Sequence, residues 1–244
     1  MNLTGLHSEV VRTVSNFSEK LKDIHKENLR SVVIYGSAIG EDFIVGKSNI
    51  NIIVVLKNIE FSDLKKSLKV VNEGRKKGIV VPLFFTEEYI RSSTDVFPIE
   101  FLEIKQNYRV VYGEDLFRQL PVNPKNTRLQ CEQQIKGGLI RLRQVYLEIG
   151  MKEKEIRNLL ISSFTSLIPI FKYILKLNDS NFETNKREII IEKLNKEFNV
   201  SKEVFLTVWK LKKGEKVQQD IETLFSQYTS ELRKLSLIID RMKI

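Results

Sequence analysis

The sequence predicts an α+β protein, in which a half built of strands and helices precedes a half built of helices alone. Runs rich in β-branched residues occur only in the first half, as in residues 31–35 (SVVIY) and 50–56 (INIIVVL). After residue 123 the apolar residues recur at helical spacing and no strand pattern returns. Because the pattern changes at the PVNP segment, we predict two domains, residues 1–122 and 123–244.

The first half is predicted to contain two long helices and further strands. The first helix spans residues 6–24, where apolar side chains recur every three or four positions. The second spans residues 61–77, with Leu64, Leu68 and Val71 facing the core. The remaining predicted strands are residues 79–85 (IVVPLFF), 99–105 (IEFLEIK) and 109–112 (RVVY).

The second half is predicted to form a bundle of five helices. Turn-forming residues separate them, among them Gly150, Asn199 and Gly214. The predicted helices are residues 125–149, 153–177, 185–198, 201–213 and 216–242. The longest apolar run, residues 159–175, contains Pro169 and three serines, which favours a buried core helix over a membrane span.

Composition narrows the class of protein. With 244 residues, 42% of them hydrophobic, the chain can bury a sizeable core. A single cysteine, Cys131, excludes a disulfide scaffold, and two histidines are too few for a multi-histidine metal cluster. The first residues show no basic segment followed by an apolar run, so we expect no signal peptide and a cytoplasmic protein that does not enter a membrane.

Positive charge is concentrated in the second half of the chain. Residues 1–123 carry 17 Lys and Arg against 16 Asp and Glu, a net charge of +1. Residues 124–244 carry 23 against 15, a net charge of +8. A basic domain favours an anionic partner, such as a nucleoside triphosphate or a nucleic acid. The alternative is a lysine-rich composition that reflects A/T-rich coding and serves no partner.

One segment of the first half has the pattern of a phosphate-binding site. Gly36 and Ser37 follow a predicted strand, and a small Gly-Ser turn lets backbone and hydroxyl groups approach a phosphate. Asn49 and Asn51 open the next strand, and their i, i+2 spacing places them on one face. Lys47 precedes them and could meet a phosphate. These five residues are the candidate nucleotide-binding set.

This pattern resembles the polymerase-β-type nucleotidyltransferase superfamily, whose motif is a strand, a Gly-Ser turn, a loop and Asp-x-Asp on the next strand. The second half is similar to the helical domain that follows the catalytic domain in kanamycin-nucleotidyltransferase-like members. The resemblance implies an α+β core with a mixed sheet, followed by an all-α bundle. It also implies a third carboxylate on a later strand, for which Glu100 is our first candidate and Glu103 the alternative.

The sequence departs from the family at the metal-binding carboxylates. Asn49 and Asn51 stand where the superfamily has Asp-x-Asp. An amide oxygen supplies no negative charge to hold Mg²⁺ beside a triphosphate, so we assign no metal ligand and expect Mg²⁺ or Mn²⁺ as a cofactor only if the protein is active. Glu41 and Asp42, in the intervening loop, are the remaining carboxylates that could replace them.

Three functions are compatible with this resemblance and with the asparagines that replace the carboxylates. The first is a degenerate nucleotidyltransferase-fold protein, a pseudoenzyme that binds a nucleotide or nucleic acid as a sensor or regulatory subunit. The second is an active nucleotidyltransferase that modifies a small molecule or a protein. The third is an interaction module whose nucleotide site is vestigial. The sequence leaves open the nucleotide, the acceptor and the oligomeric state.

Overall fold

The computed structural model describes residue 3 and residues 5–39 and 48–244, and the chain divides into two compact units. The division falls between Val122 and Asn123. The first unit combines a sheet with helices, whereas the second contains helices without strands in the described residues. The predicted α+β class, with an all-helical second part, is confirmed.

A four-stranded mixed sheet forms the centre of the first unit. Its strands are β1 (Leu29–Tyr35), β2 (Asn51–Leu56), β3 (Leu83–Thr86) and β4 (Tyr108–Gly113). Their order across the sheet is β3-β2-β1-β4. β1 runs antiparallel to β2 and β4, while β2 and β3 are parallel. The mixed sheet that the resemblance implies is therefore present.

The two faces of this sheet are covered by different helices. Side chains alternate along a strand, so Ile52 and Ile53 of β2 point to opposite faces. One face packs against α1 (Ser8–His25) and α2 (Phe61–Arg75). The other packs against α3 (Glu87–Ser92) and α4 (Pro98–Gln106). Two hydrophobic cores result, one on each side.

The prediction of a strand over residues 99–105 is wrong, because this segment is helix α4. Pro98 occupies the first helical turn, where its missing N–H costs nothing. The buried side chains Pro98, Phe101 and Ile104 recur every three residues, as on one helix face. Glu100 and Glu103 therefore lie three residues apart on one exposed helix surface and not on opposite faces of a strand.

Helix α2 is rotated relative to the prediction. Leu64 and Leu68 are exposed, whereas the polar residues Asp63 and Ser67 are buried. A buried polar contact accompanies this orientation, since the Nε2 atom of His25 lies 2.8 Å from the Oγ atom of Ser67. A hydrophobic periodicity alone could not reveal this pairing, which joins α1 to α2 across 42 positions of sequence.

Burial of His25 makes the stability of the first unit dependent on pH. Burial lowers the pKa of this histidine below 6.5, although the nearby Asp63 carboxylate acts in the opposite direction and Lys66 in the same one. Ser67 Oγ donates to the Asp63 carbonyl, so it accepts from His25 Nε2–H and leaves Nδ1 without a hydrogen bond among the described residues. The folded state therefore takes up this proton less readily than the unfolded state.

We expect the free energy of unfolding to fall as the pH is lowered through 6.5 towards the folded pKa. Below pH 6.5 the His25 side chain is protonated in the unfolded chain but not yet in the folded chain. In this range the free energy of unfolding decreases by up to about 1.4 kcal/mol for each pH unit. Urea unfolding between about pH 7.5 and pH 5.5 would measure it. His25→Gln should flatten the slope, and a slope that this substitution leaves unchanged would contradict the assignment.

The second unit is a bundle of five helices, as predicted. They are α5 (Pro124–Ile149), α6 (Glu153–Asn178), α7 (Arg187–Phe198), α8 (Lys202–Lys212) and α9 (Ile221–Asp240). Aromatic contacts fill its core, where Phe205 packs edge-to-face on Phe171 and on Tyr228. Helix α6 is long and apolar enough to cross a membrane, as the core helices of soluble proteins often are. Ten of its residues are buried within the unit.

Candidate nucleotide site

The Gly36-Ser37 turn begins directly where β1 ends. Gly36 has φ +78°, a left-handed conformation that glycine adopts without the steric cost of a Cβ atom. A short 3₁₀ helix, Gly36–Ile39, follows and leaves Ser37 exposed. The turn therefore presents the Ser37 hydroxyl at the end of the sheet.

The side chain of Asn51 lies against this turn. In the pairing of β1 with β2, Asn51 lies opposite Tyr35, the residue that directly precedes Gly36. A Cβ atom added to Gly36 would lie 3.1 Å from Asn51 Nδ2, so the amide occupies the space above the glycine. Asn49 is exposed and lies outside the regular strand, two residues earlier. The structure thus brings together Gly36, Ser37 and Asn51.

Asn107 fixes the turn in place, and sequence analysis missed it. The Gly36 N–H donates to the Asn107 carbonyl over 2.9 Å, and Asn107 Nδ2 donates to the Gly36 carbonyl over 3.1 Å. This reciprocal pair joins the end of β1 to the junction of α4 and β4. An asparagine between two predicted elements was visible in the sequence, but its partner 71 positions away was not.

Two tyrosines flank the turn on the neighbouring strands. Tyr35 and Tyr108 are cross-strand partners in β1 and β4. Burial raises the pKa of Tyr35, and burial together with a hydrogen bond to Asp115 raises the pKa of Tyr108 to about 12. The Tyr108 hydroxyl donates to the Asp115 carboxylate over 2.8 Å. Both phenols are neutral at pH 7 and add no negative charge, but the single O–H proton of Tyr108 is already donated to Asp115.

The remaining predicted site residues are placed less favourably. Glu100 lies in the first turn of α4, whereas Asn107 follows its last residue, so the two are separated by about 10 Å of helix rise. Glu103 lies one turn nearer, at about 6 Å of rise from Asn107. Lys47 lies outside the described residues, as do Glu41 and Asp42.

Among the described residues, the donors at the turn do not fit the divalent cation that the superfamily's Asp-x-Asp would hold. Asn51 contributes a neutral amide, and so does Asn49. Hard cations beside phosphates are held mainly by carboxylates, which neutralise their charge. Among residues 5–39 and 48–244, no group of three or more His, Cys, Asp or Glu side chains is arranged to hold a metal ion.

Comparison with known proteins gives a solved structure that is similar over most of the chain. No protein-family model matches the chain, and no curated protein is similar enough to count as a relative. The spectinomycin adenyltransferase of Enterococcus faecialis, solved with ATP and spectinomycin, has a TM-score of 0.47 and 13% identity. The similarity covers 89% of this chain and 98% of that chain. Similarity at this level does not establish a shared family or activity.

Proposed function

We propose that the first unit binds a nucleoside triphosphate at the Gly36-Ser37 turn without a divalent metal, and that this binding has a sensor or regulatory role. The observation that carries the proposal is the placement of the Asn51 amide against Gly36, where the resembling superfamily has a carboxylate. The turn itself is held in place by Asn107. In this proposal the site has the Gly-Ser turn of the resembling superfamily and an amide in place of its carboxylate.

The chemistry of the donors supports direct contact with phosphate. A carboxylate repels a phosphate unless a cation lies between them, whereas an amide N–H₂ donates to a phosphate oxygen. Ser37 Oγ and Asn51 Nδ2 supply two such donors beside the exposed turn. An amide in place of a carboxylate therefore lets the protein contact the phosphate directly, without a metal ion between them. The same change removes the electrostatic groups on which two-metal phosphoryl transfer depends.

Substitution of Ser37 tests this site. We expect Ser37→Ala to weaken the binding of a nonhydrolysable ATP analogue by about three- to tenfold, because one hydrogen bond to a charged acceptor is lost. Titration by calorimetry in EDTA would measure it. Ser62→Ala, at an exposed position of α2, is the matched control and should bind like the wild type. Equal affinity of both variants would contradict the location of the site.

A second ligand class, nucleic acid, is favoured by a group of cations in the helical unit. The ring of Trp209 lies 4.7 Å from the Arg187 guanidinium and about 6 Å from the ammonium groups of Lys212 and Lys213. Glu188 accepts a hydrogen bond from the indole N–H. Proteins contact the backbone of single-stranded nucleic acids with cationic side chains and stack the bases on aromatic rings.

Charge reversal tests this second ligand. We expect Lys212→Glu with Lys213→Glu to weaken the binding of a single-stranded RNA oligonucleotide and to reduce the salt dependence of its affinity, because two phosphate contacts are lost. Fluorescence anisotropy at several salt concentrations would measure both effects. Lys152→Glu with Lys154→Glu carries the same charge change at the start of α6. An identical loss in both double variants would show a dependence on net charge alone.

A further inference from the structure

The nearly neutral first unit contains two segments of opposite charge. Residues 61–77, which include α2, carry six Lys and Arg against two Asp and Glu, a net charge of +4. Residues 87–105, which include α3 and α4, carry five Asp and Glu against two Lys and Arg, a net charge of −3. The small total charge of this half therefore conceals a strong separation of charge.

These two segments lie on opposite sides of the sheet. Val70 of α2 is buried in the core with Ile52 of β2. Ile90 of α3 and Phe101 of α4 are buried in the other core, with Ile53 of β2. Because neighbouring residues of a strand point to opposite faces, these helices cover opposite faces of the sheet, and their exposed sides face in opposite directions. The unit thus has a basic side and an acidic side.

Each side also exposes large apolar side chains. On α2, Phe61 is 80% exposed and Leu68 is 59% exposed. We call these two residues, with Leu64, Lys65 and Lys69, the basic face. Exposed apolar side chains grouped on one surface mark sites of protein association more often than scattered ones do.

The acidic side has a matching group. Val96 is 60% exposed and Phe97 is 42% exposed, in the segment between α3 and α4. We call these two residues, with Tyr89, Glu88 and Asp95, the acidic face. The two faces are complementary in charge, and each presents apolar side chains to cover those of the other.

We propose that the protein associates head to tail, with the basic face of one copy bound to the acidic face of the next. The occupant of each face is thus a second copy of this chain. The interface is heterologous, because two different surfaces meet in it. Since the faces lie on opposite sides of the sheet, each added copy leaves one basic and one acidic face free, so association continues beyond the dimer or closes as a ring.

Two single substitutions block one face each. Leu68→Asp places a carboxylate in the basic face, where it repels the acidic face of the next copy. Val96→Lys places an ammonium group in the acidic face and repels the basic face. Both positions are exposed, so the fold should tolerate the changes, and circular dichroism would verify it. Leu147→Asp, at an 81% exposed position of α5, is the matched control.

Sedimentation equilibrium at low salt over about 10 to 300 µM protein tests the proposal. We expect the average mass of the wild type and of Leu147→Asp to rise above that of two 28.5 kDa chains. Leu68→Asp and Val96→Lys should each remain monomeric. An equimolar mixture of these two should form a dimer and stop there, because only one intact pair of faces remains.

Other results would overturn the proposal. A wild-type protein that stays at 28.5 kDa throughout the concentration series does not use these faces with itself. Association that persists in Leu68→Asp alone, or a mixture of the two variants that forms no dimer, would also reject the head-to-tail arrangement. High salt should weaken the association of the wild type, since screening reduces the attraction between the faces.

Discussion

Replacement of both Asn49 and Asn51 by aspartate is expected to create a metal-dependent stabilisation by nucleoside triphosphate that the wild type lacks. Asparagine and aspartate have nearly the same shape, so the change alters charge with little effect on packing. Without metal, two added carboxylates only two positions apart at the start of β2 should repel each other and lower the melting temperature. With Mn²⁺ and nucleotide at about 100 times the dissociation constant, mass action should raise it by about 5 to 10 °C.

The control for this experiment is the same chemical change elsewhere. Asn181→Asp, at an exposed position of the helical unit, should melt like the wild type under every condition. The thermal scan is run across a titration of Mn²⁺ with nucleotide for all three proteins. If the wild type shows the same metal-dependent rise as the double variant, the asparagines do not disable the site and the enzyme alternative is correct. If neither responds, the interaction-module alternative gains.

Gly113→Ala is expected to cause the largest loss of stability of any single substitution considered. Gly113 ends β4 at φ +79°, and an added Cβ atom would lie 1.8 Å from the carbonyl oxygen of Arg30. Because that oxygen belongs to the backbone of the neighbouring strand, β1 and β4 would have to separate at this point. We expect a loss of more than about 3 kcal/mol in the free energy of unfolding.

Gly78→Ala separates the clash from the cost of the left-handed conformation. Gly78 has φ +85°, but nothing lies within 4 Å of the position of its Cβ atom. Its alanine variant should lose only about 1 to 2 kcal/mol. Urea unfolding of both variants gives the comparison. Equal losses at the two positions would show that the contact with Arg30 is relieved without cost.

The elements that sequence predicted best are those whose signal lies within one segment. The amphipathic spacing of α1 and the β-branched runs of β1 and β2 each identify an element without reference to the rest of the chain. The five helices of the second unit, separated by turn residues, are equally local signals. The α+β class followed directly from them.

The errors in the first unit come from contacts between distant segments. The inward face of α2 includes Ser67, which a helical wheel assigns to the polar side but which is hydrogen-bonded to the distant His25. The short alternation in residues 99–105 matches a strand and a helix equally well, and Pro98 together with burial decides for the helix. The second error affected the site, since Glu100 was placed on a strand.

For the candidate site too, the sequence predicted the local features and missed a contact between distant segments. Gly36, Ser37 and Asn51 were predicted from a local pattern, and the structure brings them together at the end of β1. Asn107 was missed because its role depends on a hydrogen-bonded pair that forms only in the folded chain. No alternation or spacing in the sequence signals such a pair.

The affinity of the wild-type protein for a nonhydrolysable ATP analogue, measured by calorimetry in EDTA and again in Mg²⁺, tests the central claim most directly. The Ser37 hydroxyl and the Asn51 amide are proposed to contact the phosphate directly, so no metal ion is needed between them. We therefore predict binding in EDTA, with an affinity in Mg²⁺ that is the same within about threefold. Binding that appears only in Mg²⁺, or that strengthens there by more than about tenfold, would contradict the claim, as would no binding under either condition.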